Sequence, residues 1–171
     1  MHSWRVLLLP YLEYGHVYER YNFDEPWDGP NNRELAKEYP YIDRCPSYSH
    51  HADEDAVVDP YVTNYVVLVG PNEVFHGSTP SRSADVGSLA SSTILLVDVG
   101  THTVPWMTPQ DLDLEDFFSA VRETRHDHHP GITMVSMADS SVQGLPSEIS
   151  EEELTSLTGH VVRDEVQQSG Q

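Results

Sequence analysis

Tyr61-Val62-Thr63-Asn64-Tyr65-Val66-Val67-Leu68-Val69-Gly70 is the most strand-like run of the chain. β-Branched and aromatic residues fill it, and Gly70-Pro71 closes it with a turn signal. Such a run reads as a strand. Thr93 to Val99 has the same makeup and predicts a second strand. Ile132 to Ala138 predicts a third, Asp139-Ser140 a tight turn, and Ser141 to Leu145 the returning strand of a hairpin. A weaker alternation over Tyr41 to Cys45 predicts an edge strand that stops at Pro46.

Upstream of these strands the pattern is helical. Leu8, Tyr11, Leu12 and Val17 recur at helical spacing, and Tyr14 and Tyr18 extend an aromatic stripe, so Trp4 to Tyr21 predicts helix. Pro10 interrupts that run and is expected to end one helix and enter the first turn of the next. Phe23 to Asn32 is rich in turn formers, and a short helix capped by Asn32 is expected through Glu38. Downstream, Thr108-Pro109-Gln110-Asp111 carries a helix-start signal, although Asp113 to Val121 holds the stronger helical period. Ser150-Glu151-Glu152-Glu153 is a capping box for a last helix through Leu157, ended by Gly159. His50 to Asp59 reads as an acidic loop and Gly77 to Ser92 as a Ser-rich one. Helices first and strands afterwards predict α+β: N-terminal helices packed on a mostly antiparallel sheet with a C-terminal hairpin. One domain over 1–165 is expected, with 166–171 a disordered tail.

Composition narrows the function classes. The 171 residues hold 28 acidic and 9 basic side chains, a net charge of −19 with His neutral, and Lys37 is the sole lysine. Such a chain repels phosphate backbones and anionic lipid, which argues against nucleic-acid binding and membrane contact; its acidity reads first as a means of staying soluble, with divalent cations or basic partners as the other reading. Cys45 is the single cysteine, so an intramolecular disulfide or a multi-thiolate centre is excluded by count. The chain opens without a basic leader, and its apolar run Val6 to Leu9 falls far short of the roughly 18 residues a spanning helix needs. A soluble chain without an export signal is expected.

Blocks of sequence then point to a family. Ser3-Trp4-Arg5-Val6-Leu7-Leu8-Leu9-Pro10-Tyr11-Leu12-Glu13 opens the series, followed by Tyr21-Asn22-Phe23-Asp24-Glu25-Pro26-Trp27-Asp28 and Cys45-Pro46-Ser47. Thr63-Asn64-Tyr65, Thr93 to Asp98, and Pro105-Trp106 with Asp111-Leu112 come next, and His129-Pro130-Gly131 with Ala138-Asp139-Ser140 closes it. In this order and spacing the chain resembles a planctomycete pseudopilin-like family catalogued as domain of unknown function 1559, also as solute-binding-protein-like. The residues carrying the likeness are Trp4, Pro10, Pro26, Trp27, Cys45, Pro46, Pro105, Trp106, His129 and Asp139. The resemblance implies a pilin-like fold and a non-enzymatic role at the cell envelope or periplasm. There the chain would be the soluble head of a subunit in a type II secretion-like or type IV pilus-like assembly, with other pilin-like or secretion-system subunits as partners. The alternative is a periplasmic solute- or metal-binding module. Relatives begin with a prepilin-type leader and apolar helix, and Trp4 onward resembles the segment that follows it. Where relatives carry a closing Asp-Gly, this chain has Asp139-Ser140, which implies altered turn geometry.

No catalytic or cofactor-binding residue and no metal site is expected. Two groups nonetheless offer ligand types. His126, His128 and His129 flank Asp127 and could hold zinc, but they lie too close in sequence to share one ion without help from elsewhere. The alternative has His129 fixing the hairpin by hydrogen-bonding near Asp139. Asp53 and Asp55, with Glu54 and Asp59, could gather calcium, but their spacing fits no EF-hand loop. Ser47, Ser136, Asp98 and the histidines contain the ingredients of a triad without any motif that would position them.

Overall fold

The stretch from Tyr61 to Gly70 forms two short strands, β1 (Val62–Thr63) and β2 (Tyr65–Val67). The break lies at Asn64, which is fully buried, and the Thr63 hydroxyl accepts the Tyr65 amide at 3.0 Å across it. The computed structural model describes residues 1–38, 41, 44–48, 61–76, 80–100, 102–123 and 129–159. Within these, β3 (Ile94–Asp98), β4 (Val104–Pro105), β5 (Ile132–Met137) and β6 (Val142–Pro146) complete two antiparallel sheets. β1 pairs with β4 in a two-stranded ribbon, and the larger sheet runs in the order β2-β3-β5-β6. The fold is α+β with antiparallel pairing throughout its strands.

Two cores divide the helices. α5 (Leu114–Glu123) and α6 (Glu151–Thr155) cover the larger sheet, burying Phe117, Val121 and Leu154 against Val66, Val97 and Val135. The N-terminal segment is α1 (Trp4–Leu8), a 3-10 turn (Leu9–Leu12), α2 (Gly15–Tyr18) and α3 (Pro30–Leu35). Its apolar face, Val6, Leu9, Val17 and Tyr21, closes on Trp106 and Met107 just after β4. Pro10 enters the first turn of the 3-10 segment, as its missing donor requires. The aromatic stripe is partly a packing face: Tyr14, Tyr18 and Trp27 lie against this core, whereas Tyr11 is exposed.

Several boundaries differ from the sequence reading. α3 begins at Pro30 with Gly29 as cap, so Asn32 lies inside the helix. Its side chain is buried and serves the loop instead, accepting from the Asn22 amide and donating to the Asn22 and Pro26 carbonyls. Thr108-Pro109 starts no helix; the Asp113 carboxylate accepts the Asp116 amide, and α5 starts there. The segment expected as a loop before β3 contains α4 (Ser83–Val86) and a 3-10 turn (Gly87–Ser92), the Asp85 carboxylate accepting the Arg82 amide at 2.7 Å at the helix start. The capping box at Ser150 forms as expected. Cys45 lies in no strand; Ile42 and Asp43 of the expected edge strand, the acidic loop 50–59 and the tail 166–171 lie outside the described residues. No helix among the described residues is long and apolar enough to cross a membrane.

The hairpin turn holds a non-glycine residue, Ser140, in the left-handed region. Ser140 has φ 72°, and its amide donates to Met137 while the Asp139 carboxylate accepts from the Ser141 amide. Serine therefore takes up the conformation with the strain that a Cβ brings to it.

Candidate functional site

Two clusters of polar side chains are built into this frame. The first joins the N-terminal segment to the sheet. Arg5 is 1% exposed, and each of its five N–H groups meets an acceptor. Two go to the Tyr65 carbonyl, one each to the Ser3 hydroxyl and the Thr108 carbonyl, and one to Asp111 at 2.8 Å. The same Asp111 oxygen, Oδ1, also accepts from the Trp4 indole and the Val67 amide, both at 3.1 Å. Asp111 thus ties α1 to the outer strand β2, while Leu112 bridges to Leu68 beside it. A buried guanidinium is tolerable only when its donors are satisfied, and here they are.

The second cluster sits at one end of the larger sheet. Antiparallel pairing of β3 with β5 brings the end of β3 beside the approach to β5. Asp98 closes β3, and its Oδ1 accepts the Gly100 amide at 3.0 Å, a turn in which Gly100 adopts φ 61°. The other oxygen, Oδ2, lies 3.8 Å from His129 Nε2. His129 is held in the turn before β5, where its carbonyl accepts the Ile132 amide. Cys45 Sγ stands 3.3 Å from the same Nε2. Asn64, the residue that splits the first strand, positions the cysteine: its Oδ1 accepts the Cys45 amide at 3.0 Å and its Nδ2 donates to the Gly100 carbonyl. One ligand atom from each of Cys45, Asp98 and His129 falls within 4.8 Å of the others. Cys45 and Asp98 are buried, and the His129 side chain is 35% exposed.

Burial raises the Cys45 thiol above its ordinary value, and the Asp98 carboxylate raises it further against the opposing effect of hydrogen bonds from Ser47. That direction is opposite to an activated nucleophile, whose thiolate is favoured. The geometry differs from a triad as well. In a relay, nucleophile and carboxylate address opposite nitrogens of the imidazole, whereas here both face Nε2. Ser136 lies on β5 with its hydroxyl directed to the Met137 carbonyl.

Of the residues singled out by sequence, His129 enters this cluster, while His126, His128, Asp53 and Asp55 lie outside the described residues. Asp139 is a correction. It is exposed at the β5–β6 turn, the far end of β5 from His129, and bonds Ser141, so it does not fix His129. Trp4 and Trp106 are structural, the latter buried with its indole donating to the Ala36 carbonyl at 2.8 Å. Sequence reasoning set Cys45 aside because it is single, yet a count excludes only multi-thiolate centres and leaves mixed donor sets open. The signal that could have found the site is that Cys45-Pro46, Asp98-Val99-Gly100 and His129-Pro130-Gly131 each place a ligand type at a turn.

No curated protein and no solved structure matches the chain. Residues 1–111 match the family model described as "Protein of unknown function (DUF1559)", a span that includes Arg5, Cys45, Asp98 and Asp111 and stops short of His129. That match covers well over half of the sequence, and the chain belongs to this family.

Proposed function

We propose that this chain is the non-enzymatic head of a pseudopilin-like subunit, acting at the cell envelope through contacts with other pilin-like or secretion-system subunits. The observation that supports this reading best is the fastening of α1 through Arg5 to Asp111 and the Tyr65 carbonyl. A head that works within an assembly must hold its first helix rigidly against its sheet, so that load or position on one passes to the other. A buried ion pair with all five guanidinium donors satisfied provides that stiffness, because losing Asp111 strands the guanidinium charge away from water and losing any other acceptor leaves a buried donor unpaired.

The test has two arms. The genomic sequence upstream of the Met1 codon should encode a prepilin-type leader with its cleavage site and apolar helix; an ordinary secretory signal peptide there would count against the assembly role. In whole cells of the source organism, cross-linking should yield adducts between this chain and subunits bearing such leaders. Recovery of the monomer alone under conditions that cross-link known pilins would overturn the proposal.

A further inference from the structure

We infer that Cys45, Asp98 and His129 form a binding site for a single divalent cation of borderline softness, zinc foremost. The argument is geometric. A tetrahedral ion with bonds of about 2.0–2.3 Å to N, O and S holds its ligand atoms about 3.3–3.8 Å apart. The separations here are 3.3 Å from Cys45 Sγ to His129 Nε2 and 3.8 Å from that Nε2 to Asp98 Oδ2. A cation placed between the three atoms serves all of them.

The surroundings fit an ion as well. Gly100 occupies Asp98 Oδ1 and so orients the carboxylate, while Asn64 fixes the cysteine backbone. These are the outer contacts that a ligand set needs in order to keep its aim. The donor set of thiolate, imidazole and carboxylate selects zinc over calcium or magnesium, which want oxygen alone. The charge of −19 raises the local concentration of any cation. Three protein ligands leave the fourth position to solvent, and the partial exposure of His129 gives the entry path. Cys45 belongs to the link between the N-terminal segment and β1, Asp98 to the end of β3, and His129 to the approach to β5. The ion therefore staples three distant parts of the chain.

The experiment uses the purified full chain, stripped with a chelator and titrated with cobalt(II) and then zinc(II). The expected result is a thiolate-to-cobalt charge-transfer band that saturates at one equivalent, is displaced by zinc, and is absent from Cys45→Ser. His129→Gln should weaken zinc by more than the roughly 10–100-fold that loss of an outer contact costs, and zinc should raise the Tm of wild type but not of this variant. Should Cys45→Ser fail to fold, His129→Gln and the wild-type cobalt band decide the matter between them. Absence of a thiolate band in wild type would show a hydrogen-bonded trio only and overturn the inference. So would one-equivalent zinc binding that survives in His129→Gln and disappears in the double variant His126→Ala, His128→Ala.

Discussion

Two polar clusters among the described residues solve opposite problems. The Arg5–Asp111 cluster contains a guanidinium and a carboxylate that cancel, every donor of Arg5 is engaged, and the pair is 1% and 7% exposed. The Cys45–Asp98–His129 cluster gathers three groups that converge on one point and opens to solvent through the imidazole. A closed cluster rigidifies, because nothing can enter it without breaking a bond. A convergent, partly open one receives. Burial of charge alone does not mark a site: the Arg5 donors are spread over acceptors on Ser3, Tyr65, Thr108 and Asp111, whereas one atom from each of Cys45, Asp98 and His129 lies within 4.8 Å of the others.

The largest test of that contrast is Asp111→Ala, which strands the Arg5 charge and should cost about 3–5 kcal/mol in denaturant unfolding. Cys45→Ser in metal-free protein should cost only about 1 kcal/mol, one hydrogen bond's worth. Equal losses from the two substitutions would erase the distinction drawn here. Tyr21 sharpens it from another side. Burial, with a smaller contribution from the Glu25 charge, pushes its phenol from 10.0 up to about 12. The folded state thus favours the neutral phenol. Its contribution is fully present below pH 10, falls as pH rises above that value, and is gone beyond about 12. Wild type should lose at most about 2–3 kcal/mol more than Tyr21→Phe across that window, and parallel pH profiles of the two proteins would refute the assignment. Ser140→Gly should have a small effect of opposite sign, a gain of about 0.5–1 kcal/mol in the same unfolding assay, because glycine takes φ 72° without a Cβ. The slightest change is chemical rather than energetic. Cys45 in metal-free protein should alkylate more slowly at neutral pH than a free thiol, since its thiolate is disfavoured, and rate equality would contradict the raised thiol.

Much of the fold was legible because it is written locally. The strands Ile94–Asp98 and Ile132–Met137 and the hairpin after them follow from β-branched runs and a turn. The Ser150 cap follows from residues three apart in sequence. Where local signals competed, tertiary structure chose. Asn32 looks like a cap by type, but the loop from Asn22 to Pro26 needs a buried amide more than the helix does, and Gly29 with Pro30 takes the helix start. Thr108-Pro109 looks like a helix start, yet the Thr108 carbonyl is engaged by Arg5 and Asp111 by β2, which leaves Asp113 to begin α5.

By itself, the sequence determined the antiparallel α+β class, the net charge of −19, and the family blocks within residues 1–111 that the family match bears out. Each of these depends on composition or on neighbours a few residues apart. Only the tertiary structure decided that Arg5 meets Asp111 across 106 positions, and that Cys45 meets His129 across 84. Strand pairing and register fix those meetings, and register is a property of the whole sheet that no short window of residues contains.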